Sequence, residues 1–331
     1  MTDLHELCNL RDRPITYTYL DRLTQLMNSG VPATYTVEEA TSRALAATTT
    51  PLHLLCNAIP PDLDKSELAV VEEMVDILFE HGAGWSLTDA NNETPGCILI
   101  RRDLARVFPS IYDRIVDAGV RAELLLRKMA EFGLADGFTS AEDVDPASNQ
   151  QAYLDTKLEY VENALVTKDS RDAVMMDWER EIMQLGADSI FLGAQQDKDV
   201  SVLNIGFGMG IIDHMIQAKN PTKHYICEAH PDVLAKMQSD GWFDKPNVVV
   251  MPGRWQDNLS KLLNDNVVLD GIYYDTFSEH YSDMLDLFDY VVALLKPKGV
   301  CSFFNGLGAD RQVVYHVYNK LIAIDLEQSN L

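Results

Sequence analysis

The sequence predicts an α/β protein in which a small α-helical domain precedes a mostly parallel sheet covered by helices. Two observations lead to this prediction. The first part of the chain shows helical periodicity around a short turn motif, and the last part alternates continuous apolar runs with amphipathic ones. The 331 residues suffice for two domains, and the apolar (47%) and charged (24%) fractions are typical of a folded globular chain.

Charge and hydropathy exclude several classes of function. The net charge of −24 repels nucleic acid and favours a cationic partner, although acidity for solubility alone is the simpler interpretation. The first thirteen residues are charged and lack an apolar core, and no run approaches the ~18 apolar residues of a membrane span. We therefore expect an intracellular protein without a membrane partner.

The cysteines and histidines do not predict a metal site. The five cysteines are widely spaced and include no CxxC pair, which argues against a disulfide framework and a structural zinc ion. His224 and His230 have no partner at metal-binding spacing, so we expect them at the surface or behind the site. No metal is expected.

The segment Thr50-Pro51-Leu52-His53 is the turn motif of the N-terminal part. The helical stretch ELAVVEEMVDILFEHGA follows it, and Thr94-Pro95 then repeats its beginning. This pattern resembles the ankyrin repeat, and the wide spacing of the two TP pairs fits an insertion at PPDLDKSE. A short helical domain with a chance TPLH is the alternative. Because a solenoid needs ~3 repeats, we expect residues 1–45 to act as a cap or a neighbouring domain to support the module.

Domain boundaries follow from composition. Residues 1–135 form the predicted repeat domain, and residues 136–151 collect Gly, Ser, Asp and Pro without periodicity, which is typical of a linker. Residues 152–331 form the second domain. Its first segment, AYLDTKLEYVENALVTKD, is predicted to be a helical arm.

Glycine and polar residues follow the predicted strands of the second domain. The first strand ends in the glycine turn 206–211, the second at Glu228, the third just before Trp255 and the fourth at Asp275. Since ligands of parallel sheets bind at the carboxyl ends of strands, these residues outline a pocket. Glu228 is suited to accept hydrogen bonds from ribose hydroxyls, and Trp255 to border adenine. The turn lacks the full GxGxxG fingerprint, so by itself it also fits a plain tight connection.

Five segments resemble a known family: AVMMDWEREIM, VLNIGFGMGI, ICEAHPDV, VMPGRWQD and LDGIYYDTFSEHY. They are similar to the guanidino-directed S-adenosylmethionine methyltransferases, which comprise guanidinoacetate N-methyltransferases and the type IV protein arginine N5-methyltransferases. The second branch carries ankyrin-like repeats, and the TPLH motif favours it. The resemblance implies a class I, Rossmann-like methyltransferase domain, S-adenosyl-L-methionine as cofactor, and methylation of the δ nitrogen of arginine in a basic, ribosomal protein.

The resemblance also implies roles for individual residues. Glu179 and Asp275 would bind the guanidinium, and one of them would accept the departing proton. The implied cofactor-binding residues are Tyr153, Met175, Met183, Gly206, Phe207, Gly208, Met209, Gly210, Ile211, Glu228, Ala229, His230, Trp255, Gln256 and Asp275. Simpler interpretations place Glu179 on a solvated helix face, Asp275 at a helix cap or turn, and Met175 and Met183 in the core.

The chain departs from the family pattern in two places. Asn204 stands where many methyltransferases carry an acidic residue, two positions before the glycine turn. After the helical segment RQVVYHVYNKLIAIDLEQ the sequence ends at Leu331, where the family fold normally adds two strands. We therefore expect a sheet truncated at its C-terminal edge, with an exposed fifth strand.

Two other functions are compatible with the sequence. A small guanidino acid as substrate would need a cation near the site, for which Arg180, Arg254 and Arg311 are the candidates. A non-catalytic binding scaffold would use only the repeat surface. The cytoplasm is the expected location, with the nucleus as a second one, although no basic cluster of ~5–8 residues marks nuclear import. The oligomeric state is left open.

Overall fold

The structure is a computed structural model that describes residues 2–41, 49–134, 149–194, 199–306 and 311–331. Contacts divide the chain into two compact units. The first unit comprises Met1–Thr139 and Gly306–Ile324, and the second comprises Ser140–Asn305 and Asp325–Leu331. This division differs from the predicted domain 152–331, because residues 306–324 group with the N-terminal part. Most of the predicted linker, residues 136–148, lies outside the described residues.

The described residues form the following elements. The helices are α1 (Asp3–Cys8), α2 (Thr18–Asn28), α3 (Val37–Ala40), α4 (Pro51–Ala58), α5 (Lys65–Glu80), α6 (Pro95–Arg101), α7 (Leu104–Val107), α8 (Pro109–Glu131), α9 (Gln150–Asp155), α10 (Arg180–Ser189), α11 (Ile211–Ala218), α12 (Pro231–Ser239), α13 (Trp255–Asn264), α14 (Tyr281–Leu294) and α15 (Gln312–Gln328). Short 3-10 helices span Asp177–Glu179 and Trp242–Asp244. The strands are β1 (Leu158–Val161), β2 (Ala164–Thr167), β3 (Ala173–Met176), β4 (Ser201–Ile205), β5 (Lys223–Glu228), β6 (Val248–Pro252), β7 (Leu269–Tyr274) and β8 (Leu295–Phe303).

Helices of the first unit stack in two rows. Helices α1, α4 and α6 pack in one row, and α2, α5 and α8 pack in the other. Val71, Val75 and Leu78, which recur at helical spacing, lie on the buried face of α5 together with Met74, whereas Phe79 of the same predicted stripe is only partly buried. Each row therefore buries apolar side chains that a single helix pair would leave in water.

The first part of α15 packs within the first unit. A Cβ atom on Gly96 would lie 2.6 Å from the side chain of Val313, and one on Gly119 would lie 2.5 Å from Val317. The two glycines therefore allow α15 to approach α6 and α8 closely. The Tyr112 hydroxyl also lies within hydrogen-bond distance of an α15 imidazole nitrogen.

A Thr-x-x-His turn begins two helices of the first row. Before α4, the backbone N–H of Thr50 donates to His53 Nδ1 at 3.2 Å, so Nε2 carries the proton and donates to the Leu87 carbonyl at 3.0 Å. Thr2 and His5 form the same turn before α1, and His5 Nε2 likewise contacts a distant carbonyl. This second turn does not match the TPLH motif, because Asp3 replaces the proline.

The second unit begins with an antiparallel sheet of β1, β2 and β3. The prediction of a helical arm was therefore wrong beyond α9, which ends at Asp155. The segments LEYV and ALVT contain β-branched and aromatic residues and are separated by two residues, Glu162 and Asn163. Such residues at that spacing favour a hairpin over a continuous helix.

A parallel five-stranded sheet forms the centre of the second unit. Its order is β6-β5-β4-β7-β8, and every pairing is parallel. Strand β7 is buried along its whole length, as its continuous apolar run predicts. From β4 the strands are added first on one side, as β5 and β6, and then on the other, as β7 and β8, so the switch point in strand order lies between β4 and β7. The predicted mostly parallel, Rossmann-like sheet is confirmed.

One apolar cluster lies between this sheet and three helices. It contains Met183 of α10, Ile212 and Ile216 of α11, and Val233 of α12, packed against strand residues such as Val202. This packing holds the helices that follow β4 and β5, and therefore the turns that precede them. Within the described residues no helix is long and apolar enough to span a bilayer.

We predict that His53→Ala lowers the free energy of unfolding by about 3 kcal/mol at pH 7.5, because buried carbonyls lose their donor and a cavity remains. Burial lowers the pKa of His53, so its contribution is complete above its ordinary value of 6.5 and falls as the pH drops below that value. Urea unfolding at several pH values measures both effects. His81→Ala, at an exposed histidine, is the control. Equal stability of the two variants would contradict the prediction.

Candidate functional site

A cleft lies at the carboxyl ends of β4, β5, β6 and β7, where a ligand of a parallel sheet is expected to bind. It encloses about 620 Å³ of space, part of which is open to solvent. The lining residues are Gln150, Tyr153, Leu154, Val174, Met175, Ile205, Gly206, Gly208, Cys227, Glu228, Ala229, Gly253, Arg254, Trp255, Asp275, Thr276, Phe277 and Glu279.

The glycine turn after β4 approaches the backbone at the end of β7. Gly206 has a φ of +94°, and a Cβ atom there would lie 2.0 Å from the carbonyl oxygen of Asp275. Only glycine combines this conformation with this approach. Because Gly206 and Gly208 have no side chains, the turn is open toward the cleft.

Glu228, at the end of β5, fixes the same turn from the other side. Its carboxylate accepts hydrogen bonds from the backbone N–H groups of Phe207 at 2.9 Å, Gly208 at 3.4 Å and His230 at 2.6 Å. Burial raises the pKa of Glu228, and these backbone donors oppose the rise. Through these hydrogen bonds the Glu228 carboxylate orders the glycine turn.

Asp275 lies at the end of β7 and has a strongly shifted pKa. Burial, and secondly the negative charge of Glu179, raise the pKa of Asp275 to about 7. Helix α14 begins at Tyr281 with His280 as its N-cap, so Asp275 does not cap that helix. A carboxyl group with this pKa changes its charge near neutral pH, which suits an acid–base role.

Glu179 lies just before α10, which packs closely against β7. A Cβ atom on Gly186 would lie 2.5 Å from the ring of Tyr273, so the absence of a side chain sets the distance between helix and strand. Glu179 accepts a hydrogen bond from the Met176 N–H at 3.1 Å, and burial raises the pKa of its carboxyl. Glu179 is half-buried and does not line the cleft, but its charge acts on Asp275.

Trp255 and Gln256 begin α13 at the edge of the cleft. The Trp255 ring is buried, and its Nε1 donates to Glu279 at 2.8 Å. Gln256 Oε1 is buried and has no hydrogen-bond partner among the described residues. A buried amide oxygen without a donor is energetically costly.

Tyr153 of α9 closes another side of the cleft. Its ring centroid lies 4.8 Å from that of His230 and 4.9 Å from that of Phe277. The His230 ring also lies within hydrogen-bond distance of the Tyr153 backbone carbonyl, at 3.2 Å. The predicted position of Tyr153 beside the pocket therefore agrees with the structure.

The predicted site residues divide into two groups. Those that line the cleft are Tyr153, Met175, Gly206, Gly208, Glu228, Ala229, Trp255 and Asp275. Those that do not line it are Glu179, Met183, Phe207, Met209, Gly210, Ile211, His230 and Gln256. Met183, Phe207 and Ile211 are buried in the apolar cluster, so the alternative interpretation of Met183 as a core residue agrees with its position.

Sequence reasoning missed several residues of the cleft. Gln150, Thr276, Phe277 and Glu279 line it without having been assigned to the pocket. Thr276, Phe277 and Glu279 follow Asp275 directly, so proximity to the strand end was the available signal. Gln150 gave no such signal, because it precedes the sheet by many residues.

Asn204 performs a task that its sequence position did not indicate. Its side chain is fully buried, and Nδ2 donates to the Gly206 carbonyl at 2.8 Å and to the Asp213 carboxylate at 2.9 Å. Asn204 therefore links the glycine turn to α11. An acidic residue at this position would face the Asp213 carboxylate and repel it.

The cleft fits S-adenosylmethionine. The open glycine turn leaves room for close approach, and the Glu228 carboxylate lines the same cleft. Trp255 lines the cleft at the start of α13. The sheet order and this cleft define a class I S-adenosylmethionine-dependent methyltransferase, a class that takes its methyl group from this cofactor.

Comparisons with known proteins identify the family. The chain belongs to the guanidinoacetate N-methyltransferase family, whose profile matches residues 138–325. A protein named protein arginine N-methyltransferase 2 from Debaryomyces hansenii is 51% identical over 385 residues, which cover 100% of this chain and 88% of that protein. One of the same name from Saccharomyces cerevisiae is 46% identical over 371 residues, covering 98% and 90%.

A solved structure described as the SAM dependent methyltransferase from Agrobacterium tumefaciens is also similar to the chain. It is 9% identical, covers 49% of this chain and 57% of its own, and has a TM-score of 0.35.

We predict that Glu179→Gln lowers the pKa of Asp275 from about 7 toward its ordinary value, because a neighbouring negative charge is removed. Part of the rise remains, since burial is the larger cause. NMR titration of ¹³C-labelled aspartate, with Asp275→Asn to assign the signal, measures the shift. Asp177→Asn removes an exposed carboxylate paired with Arg180 and is the control. The same pKa in Glu179→Gln as in the unsubstituted protein would refute the interaction.

We predict that Gly206→Ala weakens S-adenosylmethionine binding at least tenfold, because the added methyl group would collide with the Asp275 carbonyl at a strained φ. Calorimetric titration measures the affinity. Gly241→Ala is the control, since it also has a positive φ but no atom within 4 Å of the new Cβ. Comparable affinities in the two variants would show that the close contact does not shape the site.

Proposed function

We propose that this protein methylates the δ nitrogen (N5) of an arginine residue in a basic protein, with S-adenosylmethionine as the methyl donor. The observation that carries this proposal is the electrostatic coupling of Glu179 and Asp275 beside the glycine turn. The name of the relatives, protein arginine N-methyltransferase 2, supports arginine in a protein as the substrate.

Two carboxylates suit the chemistry of a guanidinium. The arginine guanidinium has a pKa above ~12, is planar and delocalises its lone pairs, so its nitrogens are poor nucleophiles. Charge-assisted hydrogen bonds from one guanidinium to Glu179 and Asp275 would orient its plane and localise its charge. The two carboxylates repel each other in the protein without substrate, and the bound cation would relieve this repulsion.

One proton must leave the guanidinium when its nitrogen gains a methyl group. S-adenosylmethionine supplies that group from a sulfonium centre. Asp275 is the proposed proton acceptor, because its pKa of about 7 is closer to the working pH than that of an ordinary carboxyl. Glu179 would then mainly accept hydrogen bonds from a second edge of the planar guanidinium.

The charge of the chain favours a basic client. With 51 acidic and 27 basic side chains, the protein attracts cationic surfaces over long range. We propose a ribosomal protein as the client, and the cytoplasm, with the nucleus second, as the location. The stacked helices and the repeated Thr-x-x-His turn support an ankyrin-like repeat domain that would bind this client.

A small guanidino acid is the second candidate substrate, and one observation favours it. Arg254 lines the cleft and would attract the carboxylate of such a substrate. Arg254 Nη2 also donates to Gln151 at 3.3 Å, so part of its bonding capacity is used within the protein. The third candidate, a scaffold without catalysis, requires that the cleft does not bind the cofactor.

One experiment separates the three candidates. The protein is incubated with methyl-labelled S-adenosylmethionine and either a mixture of basic ribosomal proteins or guanidinoacetate. Hydrolysates are compared by chromatography with standards of arginine methylated at the δ or at a terminal nitrogen. Label in N5-methylarginine supports the first proposal, label in the free guanidino acid supports the second, and absence of calorimetric cofactor binding supports the scaffold.

We predict that Glu179→Gln keeps S-adenosylmethionine affinity within about twofold but lowers kcat at least a hundredfold, because the substitution removes a charge that acts on the guanidinium and not on adenosine. Calorimetry and single-turnover methylation measure the two quantities. Asp177→Asn serves again as the control for loss of a nearby charge. An unchanged kcat in Glu179→Gln would remove this residue from the mechanism.

A further inference from the structure

A third carboxylate of the cleft, that of Glu279, accepts hydrogen bonds from four side chains. Its Oε1 accepts from Trp255 Nε1 at 2.8 Å and from Gln150 Nε2 at 2.6 Å. Its Oε2 accepts from Thr276 Oγ1 at 2.6 Å and from the Tyr274 hydroxyl. The donors come from α9, α13, β7 and the segment after β7, so one side chain joins four parts of the cleft wall.

As an ionised carboxylate, Glu279 can accept from all four groups at once, because each oxygen takes two hydrogen bonds. A glutamine would replace one oxygen by an NH₂ group, so the Thr276 and Tyr274 hydroxyls would have to rotate and accept instead of donating. The four charge-assisted hydrogen bonds would become weaker neutral ones. An aspartate is shorter by one methylene and could not keep all four distances. The side chain is therefore specified both by charge and by length.

The segment that Glu279 anchors is strained. Ser278 has a φ of +65°, a conformation that non-glycine residues rarely adopt, and its buried hydroxyl has no partner among the described residues. The near end of the segment is held by the Asp275 N–H, which donates to the Ile205 carbonyl at 3.0 Å. The far end is held by the Glu279 carboxylate. Such a conformation persists only where both ends are fixed.

We propose that Glu279 is a positioning residue for the cofactor pocket, which fixes the Trp255 ring and Thr276 relative to the glycine turn, whereas Asp275 is held by its own N–H bond to the Ile205 carbonyl. This inference rests on the proposed binding of S-adenosylmethionine in the cleft, and not on the identity of the methylated substrate. Removing the carboxylate releases Trp255 and Thr276 together. The expected result is loss of cofactor affinity with little change in the affinity for the methyl acceptor.

Calorimetric titration with S-adenosylmethionine, without methyl acceptor, is the first test. We expect Glu279→Gln to raise the Kd about tenfold or more. Glu162→Gln removes the same charge from an exposed turn outside the cleft and is the matched control, with an expected change below about twofold. In steady-state assays, the KM for S-adenosylmethionine should rise while the KM for the acceptor stays constant. A wild-type Kd in Glu279→Gln overturns the proposal.

Trp255 provides a readout that a general loss of stability would not reproduce. Trp255→Phe keeps an aromatic ring but removes the donor to Glu279. The fluorescence spectrum of the wild type minus that of Trp255→Phe isolates the Trp255 emission. The same difference, measured in the Glu279→Gln background, should give a shifted emission. In the double variant, the loss from Glu279→Gln should be smaller than in the wild-type background. Fully additive losses of affinity, with unchanged Trp255 emission, would refute the action through Trp255.

A milder variant covers the case in which Glu279→Gln does not fold. Thr276→Val keeps the size of the side chain and removes one donor to Oε2. We expect a Kd about threefold higher with an unchanged circular dichroism spectrum, and an unchanged Kd contradicts the proposal.

Failure of the proposed function and failure of the positioning role can be distinguished. Wild-type protein that binds the cofactor but methylates no arginine refutes only the proposed function, whereas a Glu279→Gln variant that binds normally refutes only the positioning role.

Discussion

The contact between the glycine turn after β4 and the backbone at the end of β7 is the constraint on which the cleft depends. Gly206 has no room for a Cβ atom beside the Asp275 carbonyl, so the two strand ends meet without a side chain between them. Glu228 holds the turn from β5, and Asn204 holds it from below through Asp213. Because these contacts join β4, β5 and β7, the floor of the cleft is set by the sheet and not by loops.

The walls of the cleft contain several carboxylates, and removing each from water costs free energy. Backbone N–H donors offset this desolvation cost at Glu228, and four side-chain donors offset it at Glu279. Among the described residues Asp275 has no comparable set of donors, and burial, with the charge of Glu179 second, raises its pKa to about 7. The protonated and ionised forms of the Asp275 carboxyl are therefore close in free energy at neutral pH, which distinguishes Asp275 from Glu228 and Glu279. A cationic ligand would stabilise its charged form.

The sequence predicted the features that depend on local pattern. Continuous apolar runs predicted buried parallel strands, and glycine and acidic residues at their ends predicted the cleft that contains Gly206, Glu228 and Asp275. The β1–β2 hairpin was missed because its short apolar segments also fit a helix. The role of Glu279 depends on donors such as Gln150, which is 129 residues away in sequence. No periodicity or spacing rule reports such a long-range contact.

The path of the chain through α15 makes both units discontinuous in sequence. Residues 306–324 complete the first unit after the strands of the second have been formed, and the last residues return to the second. An N-terminal fragment ending near residue 139 would lack Val313 and Val317, and would expose the surface around Gly96 and Gly119 to water. Neither unit is thus an excisable module. Ribosomal synthesis must reach α15 before the first unit acquires its full complement of contacts, so this unit matures only after the strands of the second have been synthesised.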